Sequence, residues 1–300
     1  MAVTVSIEFP QDALAFAYLY GYPLYAYACY VGAFSNPKVN TPYPFRNLAT
    51  PEDRAVVRPN VDTLYTPLFF DVSQTDLEFV IPEFDNRYWL WPWYDLYGNN
   101  FANIGRDRKA SCYSEPLGNN WTQPAASISG NFGSHYAARM FSAQRGYLIL
   151  SRDQAAYPGY TNPGCASGAD RFFIGPEEAY ILTFASGMPR LKESGFWSLT
   201  IYGEDQFLVP NDRGVYNLGD RSGLVDRDGR ELERGEGREF KILIQAADAY
   251  PPQEWVKNWL PAPRGEGTFM MSFRFYGAEE AMFDGTWVYP VVEKVGALRA

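Results

Sequence analysis

The chain has 300 residues, which suit one large domain or two of modest size. Lys and Arg total 26 while Asp and Glu total 35, so the net charge is −9. A chain this acidic, with no basic run, is not expected to bind nucleic acid or an anionic membrane. The single histidine, His135, excludes a histidine-rich metal site. Three widely spaced cysteines, Cys29, Cys112 and Cys165, disfavour a disulfide framework and favour a reducing compartment, the cytoplasm.

The N-terminal segment predicts a buried helical region. Residues 13–34 carry no charged side chain, and Asp12 can cap a helix that begins at Ala13. Pro23 predicts a break near Gly21, with a second helical piece that reaches about Phe34. Tyrosines punctuate the apolar run and no Lys or Arg precedes it, so neither a membrane anchor nor a secretory signal is expected.

The rest of the chain predicts short β-strands between turn signals. The predicted strands are residues 63–73, 77–82, 87–97, 146–152, 178–184, 196–203, 238–247, 267–277 and 286–295. An Asp-Gly pair at 228–229 predicts a hairpin over residues 227–231. Many short strands of this kind are typical of sandwiches and barrels, so the fold class is mainly β.

Familiar catalytic signatures are absent from the sequence. It contains no GxxxxGK[ST], GxGxxG, GxSxG or HExxH pattern. Nucleotide-dependent, zinc-peptidase and α/β-hydrolase mechanisms therefore lose their main support. We expect no cofactor and no metal.

A polar segment, "RPNVDTLY" at residues 58–65, enters the first predicted strand. It places Asn60, Asp62 and Tyr65 close together in sequence, and aspartate is a poor strand former. Asp62 is either an aspartate bonded to local backbone or a carboxylate held in a cavity as an acid, a base or an anchor. The residues alone leave both interpretations open.

The segment "RYWLWPWYDLYGNN" at residues 87–100 is unusually aromatic. Strand alternation places one set of side chains on the same face: Trp89, Trp91, Trp93, Asp95, Tyr97 and Asn99. Pro92 makes this strand an edge or a bulge. An apolar face with a polar end is typical of a pocket wall, although a structural aspartate bonded to nearby backbone gives the same pattern.

Two later strands carry further candidates. In "FWSLTIYG", Trp197 lies on one face and Tyr202 on the other; in "FMMSFRFYG", Arg274 and Tyr276 share a face. An arginine in so apolar a strand must be paired or must face a cavity, where it could clamp a ligand carbonyl or carboxylate. His135 remains a candidate for acid–base chemistry.

At these residues the sequence resembles two families. "RPNVDTLYTPLFFDVS" and the aromatic strand with "FANIGRDR" resemble domain of unknown function 1254, whereas "FWSLTIYGEDQFLVPN", "YNLGDR", "NWLPAP", "FRFYG" and "DGTWVYP" resemble domain of unknown function 1214. The resemblance implies a helical segment at 1–48, an immunoglobulin-like β-domain at 49–156, a linker at 157–170 and a jelly-roll-like β-sandwich at 171–300. The "WPW" at 91–93 departs from the aliphatics and glutamine usual there, which suggests a lining enlarged for a bulky apolar ligand.

We therefore expect a cofactor-independent enzyme of specialised metabolism that acts on an apolar small molecule in an aromatic-lined pocket. The expected reaction is a cyclisation (pericyclic closure included), an isomerisation or an elimination. The predicted catalytic residues are Asp62, Tyr65 and Arg274, and the predicted substrate-binding residues are Asn60, Trp89, Trp91, Trp93, Asp95, Tyr97, Asn99, Trp197, Tyr202 and Tyr276.

Two alternatives remain open at this point. One is a hydrolase in which Asp62 or Asp95 activates water, and the other is a non-catalytic binding protein for an apolar metabolite. No nucleic-acid or membrane partner is expected. The oligomeric state is open, a homodimer included.

Overall fold

The computed structural model describes residues 10–74, 76–82, 84–85, 87–105, 115–123, 132–133, 136–145, 155–162 and 171–300. Within these residues the protein is mainly β with an N-terminal helix, as predicted. His135, Cys112, Cys165 and the strand expected at 146–152 lie outside the described residues. The same is true of most of the expected linker, beyond residue 162.

Helix α1, Pro10–Gly32, is continuous, so the predicted break near Gly21 is wrong. The predicted burial is wrong as well, since Leu14 is 74% exposed and Tyr25 is 64% exposed. An interior proline removes the hydrogen bond that its N–H would have donated to the Leu19 carbonyl, and its ring crowds that carbonyl, at a cost of about 3 kcal/mol. Packing against helix α2, Tyr136–Arg145, holds the segment helical across that position. Arg139 of α2 donates to the Tyr20 carbonyl at 3.1 Å, and the rings of Tyr20 and Tyr136 lie 5.3 Å apart.

The strands of the first half are short. In chain order they are β1 Thr41–Pro42, β2 Leu68–Phe69, β3 Leu90–Tyr94, β4 Asn100–Gly105, β5 Glu115–Gly118, β6 Trp121–Gln123, β7 Ala155–Ala156 and β8 Gly159–Tyr160. β1 pairs with β2, β3 with β4, and β6 with both β5 and β8. The long strand predicted at 63–73 is thus reduced to β2, and the strand predicted at 77–82 is wrong, since residues 77–82 form no strand.

The second half contains the five predicted strands, although the last begins at Val291, and three further strands that were not predicted. Together they are β9 Arg171–Ile174, β10 Glu178–Phe184, β11 Leu191–Gly203, β12 Asn217–Gly219, β13 Phe240–Ala246, β14 Trp259–Ala262, β15 Gly267–Ala278 and β16 Val291–Gly296. The strands that were not predicted are β9, β12 and β14. Two short 3₁₀ helices, Gln253–Asn258 and Glu280–Met282, lie between strands. The hairpin predicted at 227–231 is confirmed by an antiparallel bridge from Val225 to Glu231 around Gly229, whose φ is +77°.

These strands form two sheets that pack face to face. One has the order β14-β13-β10-β16, and the other has the order β12-β11-β15-β7 with β9 also paired to β15. All pairs are antiparallel except β13–β14. The shared core holds rings from both sheets; Phe184 stacks on Phe240 at 4.4 Å, and Trp197 meets Phe273 edge-on at 5.6 Å.

Side-chain alternation in β11 and β15 gives the second sheet two unlike faces. One face, with Leu199 and Phe273, fills the sandwich core, and both side chains are fully buried. The opposite face carries Ser198, Thr200 and Arg274, which are also buried. Because polar groups in such a position need partners, something must cover them. The cover comes from the first half of the chain.

We predict that Gly219→Ala destabilises the fold by about 3 kcal/mol. A Cβ at Gly219 would overlap the carbonyl oxygen of Trp197 in the neighbouring strand β11, so backbone must move. Gly237→Ala is the matched control, because a Cβ there meets no atom within 4 Å. Urea unfolding of both variants checks this, and equal stabilities for the two would show that the close approach of β12 to β11 is not needed.

Candidate functional site

The candidate site lies on the polar face of the second sheet. Strand register places Ser198 beside Arg274 and Thr200 beside Ser272, while Asn217 of β12 pairs with Thr200 from the other side. Small hydroxyls therefore surround one long cation. The arrangement follows directly from alternation, because every second residue of each strand points to this face.

A loop from the first half of the chain, Arg54–Asp62, crosses this face; we call it the docking segment. Its start is held by an ion pair of 2.5 Å between Arg54 and Asp205. Its middle is held by the Arg58 N–H, which donates to the Gln206 carbonyl at 2.8 Å. Arg58 adopts a φ of +53°, a strained value for a residue with a side chain. The strain is offset by the surrounding contacts, which fix the path of the chain towards Asp62.

Arg274 ties the docking segment to the sheet. Its guanidinium donates to the Arg58 carbonyl at 3.1 Å, to the Tyr202 hydroxyl at 2.7 Å and to the Thr200 hydroxyl at 3.2 Å. Tyr202 in turn donates to the Pro59 carbonyl at 2.7 Å. Nearby phenol oxygens raise the pKa of Arg274 in spite of its burial, so it stays a cation. The site thus contains a fixed positive charge.

Asp62 is held at the end of the docking segment by both its backbone and its side chain. Its N–H donates to Asn60 Oδ1 at 2.6 Å, and its Oδ1 accepts from Asn217 Nδ2 at 2.5 Å. Its second oxygen, Oδ2, is buried and makes no hydrogen bond to any described residue. The hydroxyl of Ser198 is buried nearby and likewise has no partner of ordinary hydrogen-bond geometry among the described residues. The Ser198 hydroxyl is nevertheless close enough to Asp62 to lower its pKa as a hydrogen-bond donor, so these two atoms lie side by side near Arg274.

Burial raises the pKa of the Asp62 carboxyl above its ordinary value of 3.8. The nearby Ser198 hydroxyl and the positive charges of Arg274 and Arg221 oppose this shift without cancelling it, and the negative charge of Asp220 adds to it. A carboxyl with a raised pKa and one free oxygen is suited to hold and release a proton.

We predict that Asp62→Asn becomes more stable relative to the wild type as the pH rises. The folded state binds the Asp62 proton more tightly than the unfolded state, so ionisation reduces stability once the pH exceeds the unfolded pKa of about 3.9. This loss is complete above the folded pKa, and asparagine, which does not ionise, avoids it. Urea unfolding from pH 3.5 to 7 measures the difference.

The control for this trend is Asp284→Asn. A hydrogen bond from Thr286 lowers the pKa of Asp284, so its ionisation stabilises the fold and the variant should lose stability relative to the wild type over the same range. The same trend with pH for both variants would contradict a raised pKa at Asp62.

Tyrosines complete the site. The Tyr276 hydroxyl accepts a hydrogen bond from Asn60 Nδ2, and burial raises the pKa of Tyr276, Tyr202 and Tyr157. Tyr65 is 42% exposed, and its hydroxyl lies close enough to Tyr157 and Tyr276 to contribute to those shifts. Tyr276, Tyr202 and Tyr157 are therefore neutral at physiological pH and can donate hydrogen bonds.

The structure brings together six of the residues singled out from the sequence: Asn60, Asp62, Tyr65, Tyr202, Arg274 and Tyr276. It also adds Ser198, Thr200, Asn217 and Tyr157. Strand alternation places Ser198 and Thr200 beside Tyr202, so the sequence held a signal for them. Asn217 had none, because its role depends on the register between β12 and β11.

Trp91 and Trp93 of β3, and Trp89 just before it, do not lie in this cluster. Trp91 and Trp93 contact Phe79 at 4.1 and 5.6 Å, and Trp89 stacks on Phe84 at 5.1 Å. The opposite face of the same strand packs on the site through Tyr88, which meets the Tyr276 ring at 5.4 Å. The tryptophans thus form a half-buried aromatic cluster on the far side of β3.

Asp95, Tyr97 and Asn99 also lie elsewhere, in the turn after β3. Asp95 Oδ1 accepts from the backbone N–H groups of Tyr97 and Asn99, and its Oδ2 accepts from the Asn99 side chain. Both oxygens of Asp95 are engaged, which is the arrangement of a structural aspartate in a turn. The Tyr97 ring contacts Arg139 and so belongs to the packing of α2.

Trp197 is the remaining substrate-binding candidate, and the structure places it in the sandwich core. It is 1% exposed and contacts Phe184 and Phe273 on the core face of β11. Its neighbour Ser198 points to the site instead, because successive strand residues alternate. Trp197 therefore supports the sheet and does not line the cluster.

Within the described residues, no group of three or more His, Cys, Asp or Glu side chains is arranged to hold a metal ion. In the same part of the chain, no helix combines the length and hydropathy needed to span a membrane.

Comparison with known proteins gives family matches without an activity. A family model of DUF1254, described as a protein of unknown function, matches residues 39–150, and one of DUF1214, described likewise, matches residues 166–280. No curated protein matches the chain. The crystal structure of the VPA0106 protein from Vibrio parahaemolyticus is 24% identical over 57% of this chain, with a TM-score of 0.38. The matched region covers 38% of that protein, so the chain spans well under half of its length.

Proposed function

We propose that this protein, which carries DUF1254 and DUF1214 in tandem, is an enzyme that transfers a proton to or from a small molecule at Asp62 without a cofactor. The reaction class is an isomerisation, a cyclisation or an elimination. The substrate has an apolar body, and specialised metabolism is its expected origin.

The observation that carries this proposal is the state of the Asp62 carboxyl. Asn217 fixes one oxygen, while the other is buried, unpaired within the described residues and close to a second unpaired atom, Ser198 Oγ. Leaving a buried acceptor unsatisfied costs about 1–3 kcal/mol, a cost expected where a ligand or water completes the site. Burial also raises the Asp62 pKa, which brings it closer to the pH at which a general acid or base works.

Each neighbour has a role in this proposal. Arg274 supplies a fixed positive charge that favours the Asp62 carboxylate after proton release and any negative charge that develops on the substrate. Its N–H groups donate to Thr200, Tyr202 and the Arg58 carbonyl, so Arg274 acts on the substrate through its positive charge and not through a direct hydrogen bond. The Ser198 hydroxyl lies beside Asp62, where it can donate either to that carboxylate or to a substrate oxygen.

Aromatic rings near the cluster suit the apolar body of a substrate. Phe196 and Tyr276 are cross-strand neighbours that stack at 4.2 Å, and Tyr88 meets Phe196 edge-on at 5.8 Å. Phe196 and Tyr276 are 1% and 4% exposed, so these two rings form the packed support behind the phenol hydroxyls. The half-buried ring of Tyr88 is the part of this cluster that a flexible apolar substrate could contact.

An unbiased conversion assay tests the proposal. Purified protein is incubated with a metabolite extract from its source cells, and mass spectrometry compares extracts treated with wild type and with Asp62→Asn. The proposal predicts that the wild type alone converts a metabolite into a product of equal mass, or into two elimination products. Conversion by both proteins at the same rate would contradict it.

The same assay separates the alternatives. A product heavier by one water, labelled in ¹⁸O water, would indicate hydrolysis. A metabolite that co-purifies with the protein and is released unchanged would indicate a carrier. The exposed thiol of Cys29, which forms no disulfide, fits a reducing compartment, and we propose the cytoplasm.

A further inference from the structure

Arg221 occupies a fixed position at the edge of the site, just after β12. The Asp220 carboxylate accepts the Trp197 N–H at 3.3 Å, and the Gly219 N–H donates to Ser222 Oγ at 2.9 Å. These bonds, together with the close approach of Gly219 to β11, fix the turn that carries Arg221. A well-defined turn presents its side chains in a defined direction, as a recognition residue requires.

The Arg221 side chain is exposed, yet its guanidinium is positioned. It lies over the ring of Phe196 at 4.2 Å, and that ring stacks at 4.2 Å on Tyr276, which is bonded to Asn60. A guanidinium stacked on a ring keeps the N–H groups at its edge available. No carboxylate of the described residues lies within ion-pairing distance of Arg221.

Arg221 is an exposed cation beside the site, on a protein whose net charge is −9. The donors of buried Arg274 are used by the protein, whereas those of Arg221 face solvent. Arg221 is also close enough to Asp62 and Asp220 to lower the pKa of each carboxyl. A ligand bound at Asp62 thus lies within electrostatic reach of the Arg221 cation.

We infer that Arg221 binds a carboxylate of the substrate, which makes the substrate class a small carboxylic acid with an apolar body. One free, flat guanidinium matches a carboxylate, which it can bind through two parallel hydrogen bonds. The ring of Phe196 beneath it is buried and supports the guanidinium, and the apolar body of the substrate follows from the proposed function. This inference rests on the proposed function, since it assigns the substrate of the same site.

Binding of a matched pair of probes tests the inference without turnover. Isothermal titration of the full chain compares 2-naphthoate with 2-naphthamide, which has nearly the same shape and no charge. We expect naphthoate to bind about tenfold more tightly and Arg221→Gln to remove this preference. Arg227→Gln is the control, because it removes the same charge from a side chain that is 91% exposed on the neighbouring hairpin.

The outcomes are distinct from those of the conversion assay. Retention of the preference in Arg227→Gln and in Asp62→Asn, with its loss in Arg221→Gln, supports the assignment. Naphthoate that fails to bind at millimolar concentration, binds no better than the amide, or is weakened equally by both arginine variants overturns it. In each of those cases, a loss of conversion in Asp62→Asn would still support the proposed function, and only the assignment of Arg221 would fail.

Discussion

Asp62→Asn is expected to reduce turnover by about 10²- to 10⁴-fold, the range lost when a general acid or base is removed. Asparagine keeps the size of aspartate and an oxygen that can accept from Asn217, so the docking segment should stay in place. What is lost is the ability to exchange a proton with the substrate. Initial rates for the metabolite identified by the conversion assay, with circular dichroism of both proteins, provide the measurement.

Two further variants separate chemistry from position. Asn217→Ala leaves the carboxyl but removes its donor, so a smaller loss is expected, of about tenfold. Asp228→Asn removes a carboxylate from an exposed hairpin and should leave the rate unchanged. Full activity in a folded Asp62→Asn protein would remove Asp62 from the mechanism.

Arg274→Leu is expected to reduce the free energy of unfolding by about 3–5 kcal/mol, the loss typical when one partner of a buried charged network is removed. The side chain is 5% exposed and joins both halves of the chain. Its removal leaves the Arg58 carbonyl and the hydroxyls of Tyr202 and Thr200 without their donor. Each such group costs about 1–3 kcal/mol when it is buried unpaired.

Urea unfolding measures this loss, with Arg227→Gln as the exposed control expected to change stability by less than about 0.5 kcal/mol. Arg274→Lys retains the charge but not the planar fork, so it should fall between the wild type and Arg274→Leu. A loss below about 1 kcal/mol in Arg274→Leu would mean that the docking segment is not held by this residue.

Local alternation explains how much of the site could be predicted. β11 and β15 are long regular strands in which apolar and polar residues alternate, so the shared face of Arg274 and Tyr276 followed from the sequence alone. Asp62 was identifiable because aspartate is unusual beside so many apolar residues. The proximity of these two groups, which are distant in the chain, depended on tertiary packing that no local pattern records.

The aromatic strand shows the limit of that approach. Alternation groups Trp91 and Trp93 on one face, but it cannot say which face meets the second sheet. In the structure, Tyr88 and Leu90 pack on that sheet, whereas Trp93 contacts Phe70 and Trp91 contacts Phe79. Which face meets the second sheet is determined by the segments that pack on each side of the strand, and these segments are distant in sequence.

Asp95 and Pro23 were misread for a related reason. The turn at Asp95 satisfies its carboxylate through residues two and four positions later, so a polar group in an apolar strand reflected local bonding and not a pocket. Pro23 lies inside a continuous α1, because packing on α2 outweighs the cost of an interior proline. Local hydrogen bonds thus determine the conformation at Asp95, and tertiary packing determines it at Pro23.

The most direct test of the central claim is a carbon-13 NMR titration of the Asp62 carboxyl, assigned by the signal that disappears in Asp62→Asn. A proton-transfer role for a buried, partly unsatisfied carboxyl predicts that this signal titrates clearly above the ordinary aspartate value of 3.8. It also predicts that Arg221→Gln, which removes a nearby positive charge, moves the titration to still higher pH. A signal that titrates at or below 3.8 in the folded protein would contradict the account.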